Sequence, residues 1–99
     1  MRGDIWIQRL GSNEARAVTR GPGYHFEPSW SPDGEGLALA VDTDGEMDIA
    51  VVRSDGSDFR VLTLGGGVDV QPAWTPDGRF VVFASARGGS FDILRYEMA

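Results

Sequence analysis

Residues 29–36 read SWSPDGEG and residues 73–80 read AWTPDGRF, 44 positions apart. The correspondence runs well beyond that phrase. Laid without a gap against 48–91, residues 4–47 give 14 identities in 44 pairs, and most of the remainder exchange like for like, as Val18 with Leu62 or Leu39 with Phe83. Asp4-Ile5 falls on Asp48-Ile49 and again on Asp92-Ile93, Thr19 on Thr63, Pro28 on Pro72, Trp30 on Trp74, and Pro32-Asp33-Gly34 on Pro76-Asp77-Gly78. The 99 residues thus divide into one unit over 4–47, a second over 48–91 and an extra strand over 92–97.

A period of 44 lies in the range of propeller blades built from four strands, whereas solenoids of helix pairs would need apolar residues at 3.6-residue spacing, which no segment shows. The junctions carry turn chemistry. Pro32 presets φ at the second position of a turn, Asp33 caps it and Gly34 accepts positive φ without a Cβ clash, and residues 75–78 repeat the arrangement. Between the turns lie short apolar runs, labelled here by their place in a blade from the innermost outward. The A runs are FEPSW and VQPAW, the B runs GLALAVD and FVVFASA, the C runs DIWIQ, DIAVV and DILRY, and the D runs ARAVT and FRVLT. In chain order these give C-D, A-B-C-D, A-B-C. The expected fold is all-β: propeller blades of four antiparallel strands, about two and a quarter per chain. The B runs are almost continuously apolar, which implies a sheet covered on both faces, and the recurrence of Trp30 and Trp74 predicts that both indoles are buried between neighbouring blades.

Several function classes are disfavoured by composition. Nine basic against fifteen acidic residues leave a net charge of -6, opposed to the clustered Lys and Arg that nucleic-acid binding requires, so no nucleic acid is expected as a partner. Without cysteine there is no disulfide, thiolate nucleophile or Cys-ligated zinc. The first ten residues, MRGDIWIQRL, lack the apolar stretch of a signal peptide, and no run approaches a membrane span, so membrane insertion is not expected.

The combination P-x-W-[ST]-P-D-G, an apolar strand, a glycine turn, Asp-Ile and a closing Leu/Val-Thr resembles the repeat of the TolB-type, WD-repeat-like β-propeller family. The resemblance covers nearly the whole chain and its motif occurs twice. It implies a fold used for many purposes, including periplasmic proteins of the Tol-Pal system and the propellers that stand before the peptidase domain of prolyl-oligopeptidase-like and tricorn-like enzymes. A periplasmic or secreted location would follow from that family. The chain departs from it in blade number, since closed rings take at least four blades and often six.

Function has to be argued from a site and not from the fold. A nucleophile elbow is missing, and His25 is the sole histidine, so no nucleophile and base can be paired and no enzyme activity is expected. Asp42, Asp44 and Asp48 superficially suggest a calcium loop, but the EF-hand order is absent and the second repeat has Ala86, Gly88 and Asp92 there; a polar hairpin loop is expected, with no metal and no cofactor. GPGYHF and GGGVDV lack the G-x-x-x-x-G-K pattern of a phosphate loop and read as connections between blades. The candidate binding residues precede the proline of each innermost strand, where a blade lines the central channel. These are His25 and Glu27 in one repeat and Asp69 and Gln71 in the other, with the acids favouring cations or basic peptide termini. The expected partners are further copies of the chain, in a cyclic trimer of six blades, with a central channel or top face offered to another protein, a peptide or a small ligand. The rival expectation is a fragment of a larger propeller, TolB-like or gating a peptidase.

Overall fold

A computed structural model describes residues 3–65, 67–86 and 89–98. Gly88, the counterpart of Asp44, lies outside the described residues. Nine strands follow in order: β1 (Trp6–Gln8), β2 (Ala15–Ala17), β3 (Tyr24–Trp30), β4 (Gly36–Thr43), β5 (Glu46–Arg53), β6 (Arg60–Val61), β7 (Asp69–Trp74), β8 (Phe80–Ser85) and β9 (Asp92–Glu97). They form three antiparallel sheets, β1-β2, β3-β4-β5-β6 and β7-β8-β9, and no helix occurs among the described residues. The nine runs read from the sequence are these nine strands, and the sheets of two, four and three antiparallel strands follow the expected order C-D, A-B-C-D, A-B-C.

The turns explain the repeated motif. Asp33 Oδ1 accepts from the Ser31 hydroxyl and from the Glu35 amide at 3.0 Å, while the Gly34 amide donates to the Ser31 carbonyl at 2.9 Å. Thr75, Asp77, Gly78 and Arg79 reproduce the same bonds, and both glycines sit at positive φ, 75° and 74°. The Asp-Ile and Thr positions also belong together. The threonine hydroxyl oxygen accepts the isoleucine amide, Thr19 from Ile5 at 2.9 Å and Thr63 from Ile49 at 2.8 Å. That side chain extends the ladder where the short outer strand has ended, so a buried amide keeps an acceptor.

The complete sheet is covered on both faces, as its continuous apolar runs predict. Leu37, Leu39 and Val41 of β4 with Ala50 and Val52 of β5 pack against Ile5 and Val18, which flank the strands of the first sheet. The alternate residues Ala38, Ile49 and Val51 pack against Val81 and Phe83 of the third. In the third sheet only one face is covered. β8 alternates strictly between buried and half-buried residues where β4 is buried from Leu37 through Val41. Ile93 is 71% exposed although its counterpart Ile49 is 0% exposed. The missing neighbour, not the local sequence, makes that difference.

The same cause corrects one expectation. Trp74 is half-buried and joins the cluster around Val81, but Trp30 is 51% exposed. The Trp30 ring would lie against the inner strands of a preceding blade, and the first sheet consists of β1 and β2 alone.

Equal residues at equal repeat positions should thus differ in energetic weight. Ile49→Ala is expected to cost about 2–5 kcal/mol, the usual range for emptying a packed aliphatic site, and Ile93→Ala less than about 0.5 kcal/mol in the monomer, as chemical denaturation of dilute protein would measure. The turn carboxylates give a pH dependence. Asp33 is held below its ordinary value first by the Ser31 hydroxyl, Asp55 by the Ser57 hydroxyl and Asp77 by the Arg79 amide. A carboxyl whose folded-state value is lowered stabilises the fold above its unfolded value and ceases to as the pH falls through the lower one. The stability gap between the native chain and Asp77→Asn should be widest at neutral pH and shrink below about pH 3.9, which acid titration of the two denaturation midpoints would reveal.

Candidate functional site

The innermost strands β3 and β7 are each interrupted at the same point. Pro28 and Pro72 have no amide to donate to β4 and β8, and the pairing shifts register between Phe26 and Ser29 and between Val70 and Ala73. The residues before the prolines, Glu27 and Gln71, adopt left-handed backbone at φ 53° and 58°. Neither is glycine, and a residue before proline ordinarily prefers extended backbone. Such a conformation costs on the order of 1–3 kcal/mol and persists only where its surroundings determine it.

Those surroundings are the neighbouring blade. The Gln71 amide donates to Glu27 Oε1 at 3.0 Å, across 44 residues of sequence. Further along the strands, three residues past Gln71 and two past Glu27, Trp74 Nε1 donates to the Ser29 carbonyl at 3.1 Å. The inner edges of two successive blades are therefore tied by one bond at the bulge and one at the indole. Sequence reasoning missed both bonds. Their signal was nonetheless present, in polar residues at equal repeat positions flanking an identical Pro-x-Trp.

The four candidate residues divide into two pairs. Glu27 and Gln71 are exposed, and the bond between them places the Glu27 carboxylate on the inner edge. His25 and Asp69 are buried, at or next to the start of the same strands. His25 Nδ1 lies 3.1 Å from both the Gly3 carbonyl and Asp4 Oδ1. With two acceptors facing it, that nitrogen carries the proton. Asp69 accepts the hydroxyl of Ser85. The His25 side chain ties β3 to the segment just before β1, and Asp69 ties β7 to β8, while Glu27 and Gln71 stay at the surface.

Asp42, Asp44 and Asp48 do not converge. Asp42 Oδ1 accepts the Gly45 amide at 2.9 Å in a hairpin turn, Asp44 sits at φ 54° in that turn, and Asp48 is buried in β5. Among the described residues no group of three or more His, Asp or Glu could hold a metal ion. No helix among the described residues is long and apolar enough to cross a membrane. Gly23, in the GPGYHF connection, has φ 92° and a Cβ there would stand 2.6 Å from the Asp42 carbonyl, so this glycine serves close packing. Between the second and third sheets lies a cleft of about 790 Å³, whose walls include Val51, Arg53, Phe59, Arg60, Trp74 and Met98.

Trp74→Ala should remove the inter-blade indole bond together with its packing and cost about 3 kcal/mol, at the lower end for a large aromatic because the ring is only half-buried. Trp30→Ala should cost less than half of that in dilute monomer, and thermal unfolding of the two variants would rank them.

The sequence profile described as the TolB beta propeller domain matches residues 1–99. Among solved structures, TolB from Acinetobacter baumannii is similar at 30% identity and a TM-score of 0.84, over 97% of this chain and 24% of that one. A structure assigned as a TolB from Agrobacterium tumefaciens is similar at 30% identity and a TM-score of 0.84, over 95% of this chain and 34% of that one. None of the curated proteins compared matches this chain. The chain thus spans a quarter to a third of the length of these two structures.

Proposed function

Since the chain belongs to the TolB beta propeller domain family, we propose that it is a non-catalytic binding and scaffold module that completes its ring with further copies of itself. The ring presents Glu27 and Gln71 around a central channel, and their bonded, acidic edge suits a cationic group such as a basic peptide terminus. What supports this reading above all is the half-exposed Trp30 beside a half-buried Trp74 at the same repeat position. One of two equivalent blade interfaces is filled and the other is open. His25 is held by Gly3 and Asp4 in a buried setting, an arrangement that suits a structural tie better than a base acting on substrate.

The coverage of only a quarter to a third of the two TolB structures favours a second reading, in which these blades belong to a larger propeller, TolB-like or gating a peptidase, and the same polypeptide supplies the rest. Light-scattering mass of the purified 99-residue chain separates the two. A cyclic trimer has three times the 10.7 kDa of one chain, and should show no turnover of peptide or ester substrates. A well-folded monomer that stays soluble would favour the larger propeller instead.

A further inference from the structure

We infer that copies of this chain join by strand exchange: the β1–β2 hairpin of an incoming copy takes the place of β9 beside β8, and its Trp30 and Glu27 close on β7 of the first copy. The inference rests on the homo-oligomeric reading above and specifies its seam. Among the described residues each copy carries nine strands, whereas two blades need eight. One strand of type C must yield at every seam, and the structure distinguishes the two contenders.

β1 is the better anchored. Ile5 and Val18 of the first hairpin are buried against Leu37 and Leu39, and the Ile5 amide is held by Thr19. Removing β1 from its hairpin would empty that core. β9 is exposed along its length except at Tyr96, which is half-buried, and it holds β8 by a ladder running from Phe80 opposite Glu97 to Ser85 opposite Asp92. An incoming β1 can rebuild the same ladder, because Asp4-Ile5 repeats Asp92-Ile93 and the register continues to Arg9 opposite Phe80. It also arrives with β2 and the complete sheet behind it, which cover the half-buried Val82 and Ala84 on the open face of β8.

Three further side chains find their partners in that arrangement. Leu10 is 98% exposed in the single chain. Its counterpart at the end of β9 is Met98, which packs on the Val81 cluster, and Leu10 would take that seat. The Trp74-to-Ser29 bond, moved by one repeat, directs Trp30 Nε1 to the Ala73 carbonyl of the neighbouring copy. The Gln71-to-Glu27 bond likewise directs the Glu27 amide to the side-chain oxygen of the neighbouring Gln71, an acceptor of the same geometry. Arg16 Nη2 donates to the Ser54 carbonyl at 2.8 Å, where the turn after β5 rests against the first hairpin. Arg60 has the same repeat position and lines the open cleft beside Met98 and Trp74. There its guanidinium would donate to the Leu10 carbonyl of the incoming turn, filling the cleft.

The chain has no cysteine, so paired cysteines can report which strand lies beside β8. Under mild oxidation Arg9→Cys with Phe80→Cys is expected to give covalent dimers and higher species that end at the closed ring. Phe80→Cys with Glu97→Cys should give no intrachain bond in the assembled fraction. In parallel, Leu10→Asp, which alters a residue fully exposed in the single chain, should weaken assembly by about tenfold or more in concentration, whereas Ile93→Asp should change it less than about twofold. An assembled protein that closes the Phe80–Glu97 pair within one chain, or that ignores Leu10→Asp, overturns the exchange while leaving oligomerisation intact. A native chain whose mass stays that of a monomer overturns both.

Discussion

A four-stranded sheet whose alternate residues are apolar on both faces has no stable way to stand alone in water. Every other feature of this chain follows from that constraint. The complete sheet buries Leu37, Leu39 and Val41 on one side and Ala38, Ile49 and Val51 on the other, and each set has a different neighbour. At about 1.5–3 kcal/mol for each aliphatic side chain withdrawn from water, the two faces outweigh any single hydrogen bond in the structure. The neighbours are themselves copies of the same unit. The 44-residue period is therefore the sequence form of a stacking rule, in which the outer face of one blade is complementary to the inner face of the next.

Hydrogen bonding then fixes where each blade sits against its neighbour. Apolar packing alone is non-directional and would tolerate sliding. The bond from Trp74 Nε1 to the Ser29 carbonyl and the bond from the Gln71 amide to Glu27 pin the inner edges. At Gln71 the left-handed backbone goes with an amide that donates to Glu27 of the adjacent blade. The proline that follows serves the same end, since it removes a ladder donor and forces the bulge. The repeated Glu/Gln-Pro-x-Trp thus couples a local distortion to an inter-blade contact. It also leaves the Glu27 carboxylate exposed beside the Gln71 amide that it accepts.

Much of this architecture is legible in the residues alone. All nine strands, their order and the turns at Pro32-Asp33-Gly34 and Pro76-Asp77-Gly78 follow from the repeat and from residue chemistry, because those depend on neighbours a few positions away. What the sequence does not convey is whether a given repeat has a neighbour on each side. Trp30 and Trp74, or Ile49 and Ile93, are identical residues in identical local settings, and only the surrounding sheets separate exposed from buried. The candidate site is half readable for a related reason. That residues 25, 27, 69 and 71 are polar is plain. That His25 and Asp69 turn into the blades while Glu27 and Gln71 meet each other depends on the bulge, which no period of two predicts.

The dependence of a blade on both of its neighbours can be measured directly by amide hydrogen exchange in β4 and β8 at low and high protein concentration. Both strands are central in their sheets, so ladder bonding alone would protect them alike. The account predicts slow exchange in β4 at every concentration, and in β8 fast exchange in dilute protein that slows as the concentration rises and the open face is covered. If the amides of β8 were as protected as those of β4 in dilute monomeric protein, a single covered face would be sufficient, and the account would be contradicted.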